Sequence, residues 1–144
     1  MTRVEELSQK AMFTRIIAAA NAHDDKAMSE TFDEFFDPNV VIHRSLLGDT
    51  DGVEAIKEIF ITLHRAFPDL YVRTDDLLEE GDKVVARQTV TGTNQGELMG
   101  RPATGRSVTY DEIFIFRFAN QRVVEIWGVV DFLSLMRQLG IGQL

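Results

Sequence analysis

The chain predicts an α+β fold: a conical, curved antiparallel sheet wrapped around three N-terminal helices, with a short helix at the C-terminal end. Three observations predict it. Apolar residues recur at helical spacing as far as Arg65, and β-branched and aromatic runs fill the chain beyond Pro68. The stretch Gln121 to Gly140 then passes from one period to the other. Val123, Val124, Ile126, Val129 and Val130 read as a strand, whereas Phe132, Leu135, Met136 and Leu139 fall at i, i+3, i+4 and i+7 of a helix ended by Gly140.

The elements follow in order. Residues 4–21 form a first helix with Leu7, Ala11, Met12, Ile16 and Ala18 on its apolar face. Asp24 or Asp25 caps a second, about 26–36, bearing Met28, Phe32, Phe35 and Phe36. Pro38 forbids its continuation, and a short strand runs from Asn39 to Arg44. Asp51-Gly52-Val53-Glu54 has capping-box spacing and opens a third helix reaching about Arg65. Strands are expected at 69–79, 83–93, 107–118 and 122–130, with Gly81-Asp82 and Ala119-Asn120 as hairpin turns. The segment 92–106, with four glycines and Pro102, suits an extended hairpin end or a flap over a pocket mouth.

With 144 residues and no linker, repeat or low-complexity segment, one domain covering 1–144 is expected. The 15 basic and 23 acidic residues leave a net charge of −8, which speaks against a nucleic-acid partner. Cysteine is absent, which removes disulfides and thiolate chemistry, and His23, His43 and His64 lack metal-site spacing, so no metal is expected. No apolar run is long enough to span a membrane and no signal peptide is visible, which makes a cytoplasmic protein the expectation.

A sheet curved around helices leaves a cavity, and strand alternation nominates its wall. Val108, Tyr110, Glu112, Phe114, Phe116 and Phe118 share one face of strand 107–118, an aromatic face with one phenol and one carboxyl. Tyr110 suits donation to a ligand carbonyl or plain β wall; Glu112 is a wall carboxyl or a solvated strand residue. Arg87 pairs with a carboxylate across the sheet or orients an anionic or carbonyl group. Trp127 is core or a stacking platform for a ligand, and His43 is a hydrogen-bonded structural histidine or a catalytic one. Asp131, at the strand-to-helix join, either caps the last helix or serves as an acid/base at an apolar pocket. Glu125, Trp127 and Val129 share a face that Asp131 continues unless Gly128 marks a bulge. The other strand face, with Ile113, Ile115, Val124, Ile126 and Val130, would be an exposed apolar patch, which a two-fold homodimer would cover.

AFPDL (66–70), LLEEGDKVVARQTVTGTNQGELMG (77–100), PATGRSVTYDEIFIFRFANQRVVEIWGVVD (102–131) and LMRQLG (135–140) together resemble the SnoaL-like polyketide cyclase family of the nuclear transport factor 2 superfamily. The resemblance, over roughly 10–140, implies an α+β cone with a deep apolar pocket for a small aromatic or polyketide-like ligand, with no cofactor. It implies that Asp131, at the end of the last long strand, is the general acid/base of an intramolecular aldol-type ring closure. The assisting histidine of the family's preceding strand has no counterpart in 107–118, so Tyr110, Glu112 or His43 would stand in. Two alternatives accompany this reading: a dimeric binding module without catalysis for an aromatic or lipid-like ligand, and a cofactor-independent hydroxylase or an epoxide-hydrolase-like enzyme, the latter grouping Asp131, Arg87 and Glu112 around a water.

Overall fold

The computed structural model describes residues 6–43 and 51–141. The expected helix start at residue 4 and strand end at Arg44 lie outside these residues. Ser8 caps α1 (Gln9–Asn21) by accepting from the Ala11 N–H, and Asp24 caps α2 (Asp25–Phe35) through Ala27. β1 (Phe36–His43) follows at once and carries Pro38, tolerated because β1 is an edge strand. The capping box expected at Asp51 does not form. Gly52 is the N-cap of α3 (Val53–Ala66), at a φ of 100°. Asp51 instead accepts from Ile42 N at 2.8 Å, because the unpaired edge of β1 offers it a donor.

β2 (Tyr71–Glu80), β3 (Lys83–Thr93), β4 (Ser107–Ala119) and β5 (Arg122–Val130) form an antiparallel meander. β1 adds to β5 in parallel, giving the order β1-β5-β4-β3-β2 in a curved, unclosed sheet. The sheet is therefore mixed rather than wholly antiparallel, since β1 reaches β5 through a long crossover and not a hairpin. The β4–β5 turn falls on Asn120 and Gln121, one residue later than expected. Both have positive φ, 53° and 63°, as a two-residue hairpin turn requires. Asp131 opens α4 (Phe132–Gln138), and Gly140, at a φ of 74°, follows its last turn.

Two apolar clusters hold these layers together. In the larger, Phe13, Phe32, Phe36 and Phe116 meet edge to face, with centroids 5.0 Å apart for Phe13–Phe116 and 5.2 Å for Phe32–Phe36. The second gathers Phe67, Leu70, Val72, Val90, Val108 and Tyr110 against Leu135 and Leu139 of α4. α4 is also pinned by Gln138, whose Nε2 donates to Thr109 O (2.7 Å) while its Oε1 accepts from Thr109 N (2.8 Å). The side chain thus pairs with β4 as a neighbouring strand would. Gln138→Ala is expected to cost about 1–2 kcal/mol, read as a lower Tm, because it removes both bonds at once.

Candidate functional site

Between the two clusters lies a cavity of about 170 Å³, lined almost wholly by carbon. α1 contributes Ile16 and Ile17, α3 contributes Ile56, Ile59, Phe60 and Leu63, and the concave face of the sheet closes the other side. Leu98 and Met99 of the 94–106 loop also line it, so this loop forms part of the cavity wall. Asn94 fixes the loop: buried, it donates to Ala66 O and Gly96 O and accepts from Thr104 N.

The β4 alternation holds along the strand. Val108, Tyr110, Phe116 and Phe118 are buried on the concave side, and Tyr110, Glu112, Phe114 and Phe116 line the cavity. Glu112 has no charged partner among the described residues, and burial pushes its carboxyl up to about 7. It is thus divided between acid and base near neutrality, as proton transfer in both directions demands. Burial first, and the neighbouring Glu112 second, push the Tyr110 phenol up and keep it a neutral donor. Directly across from Glu112 on β3 stands Gln88, 2% exposed and cavity-lining, which the sequence reading passed over. Its signal is the alternation Val84, Ala86, Gln88, Val90, one polar residue in an inward-facing apolar row. No lysine or arginine lines the cavity among the described residues.

β5 faces the opposite way from the sequence expectation. Arg117 pairs with Glu125 but Phe118 with Val123, so Val124 is an extra residue that reverses the alternation. Downstream of it, Ile126, Gly128 and Val130 line the cavity, while Glu125, Trp127 and Val129 point out of the convex face with Ile113 and Ile115. The outer patch expected to contain Val124, Ile126 and Val130 is corrected accordingly: Trp127 and Val129 occupy it. Gly128 sits under a ring, and a Cβ there would come within 2.2 Å of Phe114 Cε1. Gly128→Ala is therefore expected to push Phe114 into the cavity, costing about 1–3 kcal/mol of stability with a parallel loss of ligand affinity in titration.

Of the remaining nominated residues, His43 alone touches the cavity. Asp131 is exposed, and its Oδ1 accepts from Ser134 N at 3.1 Å as the cap of α4. Its neighbours Val130 and Phe132 line the cavity and Asp131 does not, because it continues the outward row of Glu125, Trp127 and Val129. Arg87, also on the convex face, donates to Asp76 at 2.6 Å and lies 3.7 Å from Asp75. Trp127 stacks on His43 there, the centroids 5.1 Å apart. His43 reaches the cavity rim, and its Nε2 donates to Glu125 Oε2 at 2.8 Å. His43 first, and Arg117 second, hold the Glu125 carboxylate below its usual range. The triad Asp131, Arg87 and Glu112 is not assembled, since Glu112 faces the cavity and the other two do not. Among the described residues no group of three or more His, Asp or Glu is placed to hold a metal, and no helix is long and apolar enough to cross a membrane.

The model of the SnoaL-like polyketide cyclases matches residues 11–139. The chain belongs to this family. Among curated relatives, the aklanonic acid methyl ester cyclase DnrD of Streptomyces peucetius is 27% identical over 135 residues, covering 92% of this chain and 91% of that protein. TsrD from Streptomyces laurentii superposes with a TM-score of 0.81 at 29% identity, over 96% of this chain and 98% of its own. AclR from Streptomyces galilaeus is 30% identical with a TM-score of 0.77, over 91% and 80% of the two chains. Among the described residues of this SnoaL-like chain, the carboxyl that meets the cavity is Glu112.

Proposed function

We propose that the protein is a small-molecule enzyme of the cyclase type, catalysing an intramolecular aldol ring closure of a polyketide-like ligand. The observation that carries this reading is Glu112, a carboxyl without a salt bridge among the described residues, facing a carbon-lined cavity where burial pushes it up to about 7. Family membership and the relatives named as cyclases support the substrate class.

The Glu112 carboxylate removes a proton alpha to a ligand carbonyl, and the resulting enolate carbon attacks a second carbonyl carbon of the same molecule. A carbon–carbon bond forms, and the alkoxide takes the proton back from Glu112. No electrons leave the ligand, so the step balances without an oxidant or cofactor. Tyr110 donates to the enolate oxygen as charge develops there. Phe114 and Phe116 offer the ligand ring faces. His43, oriented by Glu125, stands at the rim as a second proton carrier. Asp131 acts through α4, which its cap stabilises, and not on the ligand.

The test is ring closure of a linear, enolisable polyketone ester, followed by loss of its enol absorbance and by chromatography of the cyclic hydroxy ketone, which has the same mass as the substrate. Loss of turnover in Glu112→Gln, with Asp131→Asn still active but about 1 kcal/mol less stable, supports the assignment. The opposite pattern returns the chemistry to Asp131. A folded protein that binds the ester with no turnover under any condition is a binding module instead.

The reading includes a homodimer through the convex face, where Ile113, Val129 and Leu78 are 47%, 69% and 64% exposed beside Trp127 and Ile115. Such a patch is covered most simply by its own copy. Sedimentation is expected to give a dimer at micromolar protein, and Val129→Glu a monomer; a monomeric wild type contradicts it.

A further inference from the structure

We propose that Gln88 is the specificity-determining residue of the cavity, taking a hydroxyl hydrogen of the ligand and so selecting a hydroxy-keto skeleton over its ether. This rests on the reading of the cavity as the ligand site and deepens it. The argument is one of unfilled hydrogen bonds. Gln88 is 2% exposed, and its Nε2 donates to Thr74 Oγ1 at 3.2 Å, which leaves Oε1 as the other end of the amide. Among the described residues nothing donates to Gln88 Oε1, and no buried side-chain oxygen or nitrogen is left without a partner. That oxygen therefore opens onto the cavity that Gln88 lines.

A lone acceptor in a carbon-lined space needs a donor, and a ligand that brings none leaves it desolvated and unpaired. Its neighbours are of the opposite kind. Glu112 lies directly opposite on β4, and Tyr110 two residues further along the same face. Protonated Glu112 and the Tyr110 phenol both donate. The row thus presents one acceptor beside two donors, the complement of a ligand hydroxyl set beside carbonyl oxygens. Hydroxyaryl ketones or esters whose hydroxyl is too far from the carbonyl to bond it internally have this pattern. The absence of a lysine or arginine in the described wall adds that a free carboxylate finds no counter-charge there.

Three probes separate the possibilities: methyl 4-hydroxy-2-naphthoate, whose hydroxyl cannot close on its own ester, its 4-methoxy ether, and the corresponding free hydroxy acid. Their affinities are read by naphthalene fluorescence at about pH 6 and about pH 8.5, either side of the Glu112 titration. Wild-type protein is expected to hold the hydroxy ester about tenfold tighter than the ether, the loss expected of one unpaired buried acceptor. The free acid is expected to bind more weakly than the ester at both pH values, the gap widening at the higher one. In Gln88→Leu the hydroxyl-to-ether preference collapses towards one, while Glu112→Gln retains it. Thr74→Val, which leaves the acceptor in place but frees the amide, reduces the preference without changing ether affinity. Equal binding of ester and ether to the wild type, or an undiminished preference in folded Gln88→Leu, overturns the inference and leaves the cavity reading standing. No binding of any probe by folded wild-type protein overturns both.

Discussion

Turnover in Glu112→Gln is expected to fall by about 10²- to 10⁴-fold, while ligand affinity stays within a few-fold. The amide keeps the shape of the carboxyl and a donor N–H, so it holds a ligand carbonyl as protonated Glu112 does. It carries no exchangeable acid proton of useful strength and cannot act as a base. The pH profile carries the same information. Proton abstraction needs the ionised form, so the wild-type rate is expected to rise through about pH 7, the midpoint burial gives Glu112. Stability runs the other way. The folded state holds this proton more tightly than the unfolded chain, whose carboxyl has its ordinary value of 4.5. Between those two values folding therefore loses stability as pH rises. Asp69, Asp75 and Glu125, all held below the usual range by hydrogen bonds and neighbouring cations, contribute stability above their unfolded values that is lost on acidification.

Phe32→Ala is expected to cost about 3–5 kcal/mol, a large share of the roughly 5–15 kcal/mol that hold a domain together. Phe32 is fully buried, and it meets Phe36 at 5.2 Å and Phe60 at 5.6 Å, both edge to face. Phe36 and Phe60 line the cavity, so Phe32 backs two of its walls. Chemical denaturation gives the stability change. Ligand affinity is expected to fall with it, because both rings lose the partner that sets their tilt.

The difference between what the sequence disclosed and what it hid comes down to single residues. The inward face of β4 was legible because β4 keeps strict alternation from Val108 to Phe116, and an aromatic row broken by Tyr110 and Glu112 marks it. The inward face of β5 was not, because its parity turns on one unpaired residue, Val124, in a run where any valine would serve. Gly128 suits a bulge by sequence, yet in the fold it makes room for the Phe114 ring. The role of Asp131 followed from that parity. A short acid before a helix suits a cap and a pocket carboxyl equally, and only the direction of the strand before it separates them. The parallel pairing of β1 was hidden for a different reason: a long crossover carries no local pattern that tells parallel from antiparallel.

The carboxyl of Glu112 can be watched directly. With side-chain carbon-13 label in glutamate, and Glu112→Gln to assign the signal, NMR titration of the free protein is expected to give a midpoint near 7. A midpoint at the ordinary value of 4.5 would mean that this carboxyl is solvated and ionised at neutrality, and would contradict a buried proton carrier in the cavity.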